Sequence, residues 1–333
     1  MAHLAARANV SPDSGFPVTL HPHFNPKIKD HVPPEPPHKE RTPAPDRGLF
    51  ANPDKKSLLS IPGIKVVPLT ESIGTVLENV QLSALTPQQL DELALLVNER
   101  GVVFFRSQDL TTEGQVKLFE HYGELDRHPS QKDTRHHVIR GSTIDHREIL
   151  AYTPWPSGDF HADTSFEINP PSYSMLRMEE HPPVGGDTAW VSSYGLYDTL
   201  SDAMKYAHFT GLRALNVNPG FVTGFAELKK YEGDKILDFL NYHIHSADDH
   251  YVRFKWEVGS VALWDNRAVV HRVIPGSYET PRRGIRTTVF GEKPYFDPKS
   301  EGRLERQKRL KAEKENEDKA NGVSGTNGNG VSH

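Results

Sequence analysis

Three residues of this chain, His161, Asp163 and His271, have side chains of the types that bind a divalent metal ion. His161 and Asp163 are two positions apart, so an extended segment would direct both side chains to the same side. Two histidines and one carboxylate on one face of an octahedron leave three adjacent positions open, as in non-haem Fe(II) oxygenases. Those positions would accept a chelating 2-oxo acid and O2. The His-x-Asp spacing is common, however, and alone it favours an ordinary core or surface histidine.

The composition limits the chemistry and the partners. The 333 residues include no cysteine, so disulfides, thiolate metal sites and cysteine nucleophiles are excluded, and a metal must depend on His, Asp or Glu. The net charge of −5 argues against a nucleic-acid surface. With no apolar run long enough to span a bilayer and no signal-like N-terminus, the sequence predicts a soluble cytoplasmic protein without a membrane partner. A homo-oligomer is left open.

Both ends of the chain differ in composition from its middle. Residues 1–55 are rich in proline and predict a disordered arm. Residues 299–333 are first almost entirely charged, which is compatible with a solvated helix, and then of low complexity. We therefore expect one folded domain at residues 56–298.

The middle of the chain predicts an α+β fold. Thr86, Pro87 and Gln89 form a helix-start pattern with a capping box, and Gly101 marks the helix end. A buried strand should follow at Val102–Phe105. After residue 123, short apolar runs alternate with Gly, Pro and Asp, which is typical of antiparallel strands. Two helices should interrupt these strands, and the sum indicates a β-sandwich or barrel with flanking helices.

Several motifs occur in an order that resembles the taurine dioxygenase-like (TauD/TfdA) family. They are FHADTSFEINPPSYSMLRMEEHPPVGGDT at 160–188, WDNRAVVHRV at 264–273, the arginines at 282 and 286, and GEKPYF at 291–296. The resemblance covers roughly residues 56–298 and leaves out both tails. It implies a double-stranded β-helix, or jelly roll, with helices packed outside.

The resemblance also implies roles for single residues. His161, Asp163 and His271 match the Fe(II) ligands, while Thr188 and Arg282 match the residues that hold 2-oxoglutarate. Arg283 is the alternative to Arg282, which we prefer for its R-x-x-x-R spacing with Arg286; a guanidinium binds a carboxylate bidentately. Four further residues match substrate contacts: His128, Phe166, Trp190 and Arg286.

The implied activity is that of an Fe(II)- and 2-oxoglutarate-dependent dioxygenase, which uses O2 to hydroxylate a small anionic substrate. A taurine-like sulfonate is preferred, because hydroxylation beside sulfur would release sulfite. A hydrolytic zinc enzyme could use the same three ligands, but it would not need Arg282 and Thr188 as a cosubstrate clamp.

One departure from the family concerns length. Between Asp163 and His271 the chain lacks several tens of residues that relatives have, and the gap is expected near Leu215–Asn218. In relatives this stretch includes a β-hairpin that walls the pocket and contributes a jelly-roll strand. The sequence is therefore also compatible with a catalytically impaired binding protein or a truncated gene model.

Overall fold

The computed structural model describes residues 40–126, 135–141, 160–201, 214–219, 221–222, 224–225, 228–274, 281–294 and 300–324. The strands are β1 Lys65–Pro68, β2 Thr75–Glu78, β3 Val102–Phe105, β4 His137–Gly141, β5 Pro171–Glu180, β6 Thr188–Ser192, β7 Tyr251–Phe254, β8 Val261–Asp265, β9 Val269–Val273 and β10 Arg282–Phe290. The helices are α1 Lys56–Leu59, α2 Pro87–Arg100, α3 Thr112–Phe119, α4 Ser193–Asp198, α5 Lys230–His245 and α6 Arg303–Ser324.

The strands form two sheets whose side chains pack against each other. The larger sheet has the order β1-β2-β3-β8-β5-β10-β4, and it is mixed because β2 and β3 are parallel. The smaller sheet has the order β7-β6-β9. Phe104 of the larger sheet stacks on Phe254 of the smaller one, and Trp190 and Trp264 also meet between the sheets. This two-sheet core agrees with the predicted jelly roll, with β1–β3 as an extension.

Helices cover the outer faces of both sheets. The predicted capping box of α2 is present, since Gln89 N–H donates to Thr86 Oγ1 and Thr86 N–H donates to Gln89 Oε1. Leucines of α2 pack against Val103 and Phe105, whereas Val102 and Phe104 face the interior between the sheets. β3 is therefore covered on both faces, which explains why its sequence is continuously apolar. Helices α4 and α5 cover the smaller sheet.

β6 is the central strand of the smaller sheet. β6 pairs directly with β7 and, on its other side, with β9. A single antiparallel bridge between His161 and His271 extends this sheet beyond β9. Leu215 is buried after the gap, and its N–H donates to the Ser193 carbonyl. With three strands in this sheet, the expected loss of a jelly-roll strand near Leu215–Asn218 stays a prediction.

Residues from the predicted arm pack on the domain. The Asp46 carboxylate lies 2.6 Å from Arg267 Nη2 and accepts a hydrogen bond from the Tyr173 hydroxyl. Arg267 also pairs with Asp265 and Glu292. In the predicted charged tail, α6 begins with Arg303, which donates to the Ser72 carbonyl. Within the residues that the structure describes, no helix is long and apolar enough to span a bilayer.

Replacing Asp46 with alanine should lower the free energy of unfolding by about 1–3 kcal/mol, because Arg267 and the Tyr173 hydroxyl would lose a partly buried partner. Urea denaturation measures this change. Asp234→Ala is the control, since Asp234 pairs with Lys230 on an exposed helix face, where such pairs contribute less than about 0.5 kcal/mol. Equal stability of the two variants would show that Asp46 does not anchor residues 40–55.

Candidate metal centre

The fold brings His161, Asp163 and His271 together. His161 and His271 exchange backbone hydrogen bonds of 3.0 and 2.8 Å, which places their rings side by side with centroids 4.5 Å apart. Asp163 Oδ1 lies 3.8 Å from His161 Nε2 and 3.7 Å from His271 Nε2. One ligand atom from each residue lies within 4.8 Å of the other two. Three donors at these separations can converge on a single ion.

Two of these donors have the protonation states that a metal requires. Burial raises the pKa of Asp163, but Arg286 and the two imidazoles more than offset this effect and hold it well below its usual range. Burial lowers the pKa of His271 to about 3, despite the opposing effect of Asp163. Asp163 is therefore a carboxylate and His271 a neutral imidazole at neutral pH, as metal coordination needs. Two nitrogens and one carboxylate oxygen fit the donor set of Fe(II).

Arg286 binds the carboxylate of the centre. Its Nη1 donates to Asp163 Oδ1 at 2.6 Å, and its Nη2 lies 3.2 Å from Nδ1 of His137. Ser174 donates a longer bond of 3.3 Å to Asp163 Oδ2. Arg286 and Asp163 also line a small recess together with Thr164 and Thr288. The arginine predicted to meet a substrate anion thus lies beside the metal ligands.

The backbone of Asp163 is held by the turn between β8 and β9. The Asn266 side chain accepts from Asp163 N–H at 2.8 Å and donates to the Asp163 carbonyl at 3.1 Å. The next residue, Thr164, has a φ of 38°, a left-handed conformation that is unfavourable for a β-branched side chain. The loop that bears the ligands is therefore kept in shape by long-range contacts.

The second predicted pair also comes together. Arg282 is buried, and it donates to Thr188 Oγ1 at 3.1 Å and to the Gly186 carbonyl at 2.8 Å. Trp256 Nε1 donates to the same hydroxyl at 2.9 Å. Arg283 instead pairs with Glu179 and Glu180 at the surface. Of the two neighbouring arginines, Arg282 therefore has the interior position that the preferred assignment requires.

The other residues predicted to contact the substrate are Phe166, Trp190 and His128. Phe166 is 64% exposed and packs edge-to-face on Phe221, whose ring lies 5.9 Å from that of His161. Trp190 has no exposed surface, and it packs against Trp264 and beside His271. These are contacts of a core residue that supports His271, not of a substrate ligand. His128 lies outside the described residues, so its role stays a prediction.

Sequence reasoning missed Phe221 and the amide side chains that hold the ligand loop. Asn266 lies within the motif that contains His271 but has the residue type expected of a turn. Phe221 follows Pro219 and Gly220 in a segment without regular periodicity. Neither pattern distinguishes a residue near the metal centre from a loop residue.

Replacing Arg286 with glutamine should destabilise the metal-free protein by about 3 kcal/mol, because the buried Asp163 carboxylate loses its cation. A bound divalent ion supplies the missing positive charge, so Co(II) should raise the melting temperature of this variant more than that of the wild type. Thermal unfolding with and without Co(II) measures both effects. Arg283→Gln, at the exposed neighbouring pair, should behave like the wild type. An equal Co(II) response in all three proteins would contradict competition between Arg286 and the metal.

Comparisons with known proteins agree with this geometry. The profile of the family described as "Taurine catabolism dioxygenase TauD, TfdA family" matches residues 65–208 and 205–288. A candidate alpha-ketoglutarate-dependent sulfonate dioxygenase of Schizosaccharomyces pombe is 32% identical over 309 aligned positions, covering 78% of each chain. An alpha-ketoglutarate-dependent sulfonate dioxygenase of Saccharomyces cerevisiae is 30% identical, covering 71% of this chain and 69% of that protein.

The structural comparison gives the same result. The crystal structure of a taurine dioxygenase from Burkholderia xenovorans matches with a TM-score of 0.61 and 30% identity, covering 72% of this chain and 94% of that one. The 309 positions aligned with the S. pombe protein exceed 78% of 333 residues, so this chain has gaps in the alignment. The two profile matches meet at residues 205–208, before the Leu215–Asn218 stretch where the sequence suggested the gap. The protein is an oxidoreductase that depends on Fe(II), 2-oxoglutarate (alpha-ketoglutarate) and O2, and the chain belongs to the taurine catabolism dioxygenase TauD, TfdA family.

Proposed function

We propose that this dioxygenase hydroxylates a small organic sulfonate, with His161, Asp163 and His271 as the iron ligands. The observation that carries the proposal is the presence of two separate interior arginines on β10, one of which contacts the three-donor centre. Arg282 bonds to Thr188, and Arg286 bonds to Asp163. One cation suits the cosubstrate and the other suits an anionic substrate.

Arg282 and Thr188 are suited to the distal carboxylate of 2-oxoglutarate. The guanidinium is buried, where a charge-assisted bond to a carboxylate is strong. Its Nε is engaged by the Gly186 carbonyl, which sets the plane of the group. The Thr188 hydroxyl accepts from both Arg282 and Trp256, so its own hydrogen is directed elsewhere and is available to an oxygen of the cosubstrate.

Arg286 is suited to the anionic group of the substrate once the metal is present. A divalent cation bound to Asp163 reduces the attraction that holds Arg286 to that carboxylate. Nη1 of Arg286 can then donate to a sulfonate oxygen next to the metal. The sulfonate assignment is supported by the names of the two yeast relatives, and a taurine dioxygenase is among the structural matches.

Phe166 and Phe221 are suited to the carbon skeleton of the substrate. Their rings pack on each other with centroids 5.2 Å apart, and Phe221 is 41% exposed beside His161. An apolar chain could lie on these rings while its charged end meets Arg286. This arrangement would present a carbon atom near the anionic group to the metal, as selective hydroxylation needs.

The bound iron supplies the oxidising chemistry, in which 2-oxoglutarate becomes succinate and CO2 and one oxygen atom enters a substrate C–H bond. The protein residues orient the two anions and exclude competing poses. Hydroxylation of the carbon that bears the sulfonate gives an unstable product, which separates into sulfite and an aldehyde. Sulfite is therefore a specific signature of the proposed reaction.

Replacing Arg282 with leucine should weaken 2-oxoglutarate binding by about 30-fold or more, because the loss of a buried charge-assisted bond costs roughly 2–3 kcal/mol. Calorimetry with the Co(II)-loaded protein measures this affinity without turnover. Arg283→Leu is the matched control and should bind like the wild type. If Arg283→Leu showed the larger loss, the two arginines would have exchanged roles.

Sulfonates should stimulate succinate formation from 2-oxoglutarate by the Fe(II)-loaded enzyme and release sulfite. A panel of alkyl sulfonates, carboxylates of equal chain length and the corresponding amines tests the anion preference. His161→Ala is the control and should abolish stimulation, because one iron ligand is lost.

The outcomes separate the alternatives. Stimulation by carboxylates alone would refute the sulfonate assignment while leaving the dioxygenase activity in place. A folded, iron-binding protein that no compound stimulates would favour the catalytically impaired binding protein.

A further inference from the structure

The ligand loop has a third anchor, which comes from the segment that follows the shortened connection. Asn218 is buried, and its Oδ1 accepts a hydrogen bond from Ala162 N–H at 2.5 Å. Its Nδ2 donates to Ser165 Oγ at 2.7 Å and to Asn216 Oδ1 at 2.9 Å. One side-chain amide thus contacts the loop on both sides of Asp163.

The three successive N–H groups of the loop have partners from different parts of the fold. His161 N–H donates to the His271 carbonyl, and Asp163 N–H donates to Asn266. These two partners both belong to the segment that runs from β8 through the turn into β9. Ala162 N–H, between them, donates to Asn218. Asn218 therefore connects the metal-binding loop to a second segment of the chain.

Asn218 also connects the loop to the aromatic surface. Its backbone carbonyl accepts hydrogen bonds from Phe221 and Val222 at 2.8 and 2.9 Å. These bonds close the turn that carries Phe221, whose ring packs against His161. A shift of Asn218 would move the loop and Phe221 together.

We propose that Asn218 is a positioning residue of the metal centre. Its amide keeps the loop in the geometry that brings His161 and Asp163 to one ion. The left-handed conformation of Thr164 makes such support necessary, because a free loop would relax away from it. This role concerns metal binding and does not depend on the substrate proposed above.

Titration of the metal-free, full-length protein with Co(II) tests this role by calorimetry and by the visible absorption of the bound ion. Asn218→Ala should lower the Co(II) affinity about tenfold or more, as loss of supporting contacts to metal ligands does. Asn218→Asp keeps an acceptor for Ala162 N–H and should recover most of the affinity. Asn216→Ala is the matched control, since Asn216 is exposed and contacts Asn218 rather than the ligand loop.

A residue that only supports the fold would lower the melting temperature but leave the Co(II) affinity and spectrum of the folded variant unchanged. Wild-type affinity in Asn218→Ala therefore overturns the proposal. If this variant does not fold, Ser165→Ala provides the test, because it removes only one bond between the loop and Asn218. Reduced Co(II) affinity in Ser165→Ala then supports the proposal, and unchanged affinity overturns it.

Discussion

The architecture of the centre depends on the burial of one charged carboxylate, that of Asp163. A carboxylate in the interior is costly unless a cation and hydrogen-bond donors surround it. Arg286 from β10 provides the cation and Ser174 from β5 a hydrogen bond to the carboxylate, and Asn266 from the β8–β9 turn holds the Asp163 backbone. These contacts tie three parts of the two-sheet core to the ligand loop. The site is therefore formed before a metal ion binds. Until then, the guanidinium of Arg286 supplies the positive charge that the Asp163 carboxylate needs.

The alternation of side chains along β10 explains why two arginines enter the site and one does not. Arg282 and Arg286 are four residues apart and share one face, whereas Arg283 points to the opposite face. Four residues of strand span about 13 Å, and the two guanidinium groups have different partners, Thr188 for Arg282 and Asp163 for Arg286. This spacing is the physical basis for assigning separate groups to the cosubstrate and the substrate.

Local patterns predicted those features that depend on neighbouring residues. The capping box at Thr86, the strand at Val102–Phe105 and the shared direction of His161 and Asp163 follow from spacing alone. The role proposed for Arg282 required the family resemblance, and the R-x-x-x-R spacing with Arg286 then favoured it over Arg283. Contacts across long separations could not be predicted, such as Asp46 with Arg267, or Asn218 with Ala162. Their partners are set by the tertiary fold, and the short polar side chains involved are equally common in turns.

The shortened connection bears differently on two parts of the site: the strands that support the metal centre, which we call the frame, and the surface residues beside it, which we call the rim. The frame consists of strands that pair directly across the gap, since β6 is bonded to β7 and to β9. The rim includes Phe166 and Phe221, which contact each other at the surface beside the centre. A change in this connection can therefore reach the rim through Phe221, while Asn266 and the backbone bonds between His161 and His271 hold the ligand loop from the β8–β9 side. Loss of residues between Asp163 and His271 is for this reason compatible with the observed convergence of the three metal-binding side chains.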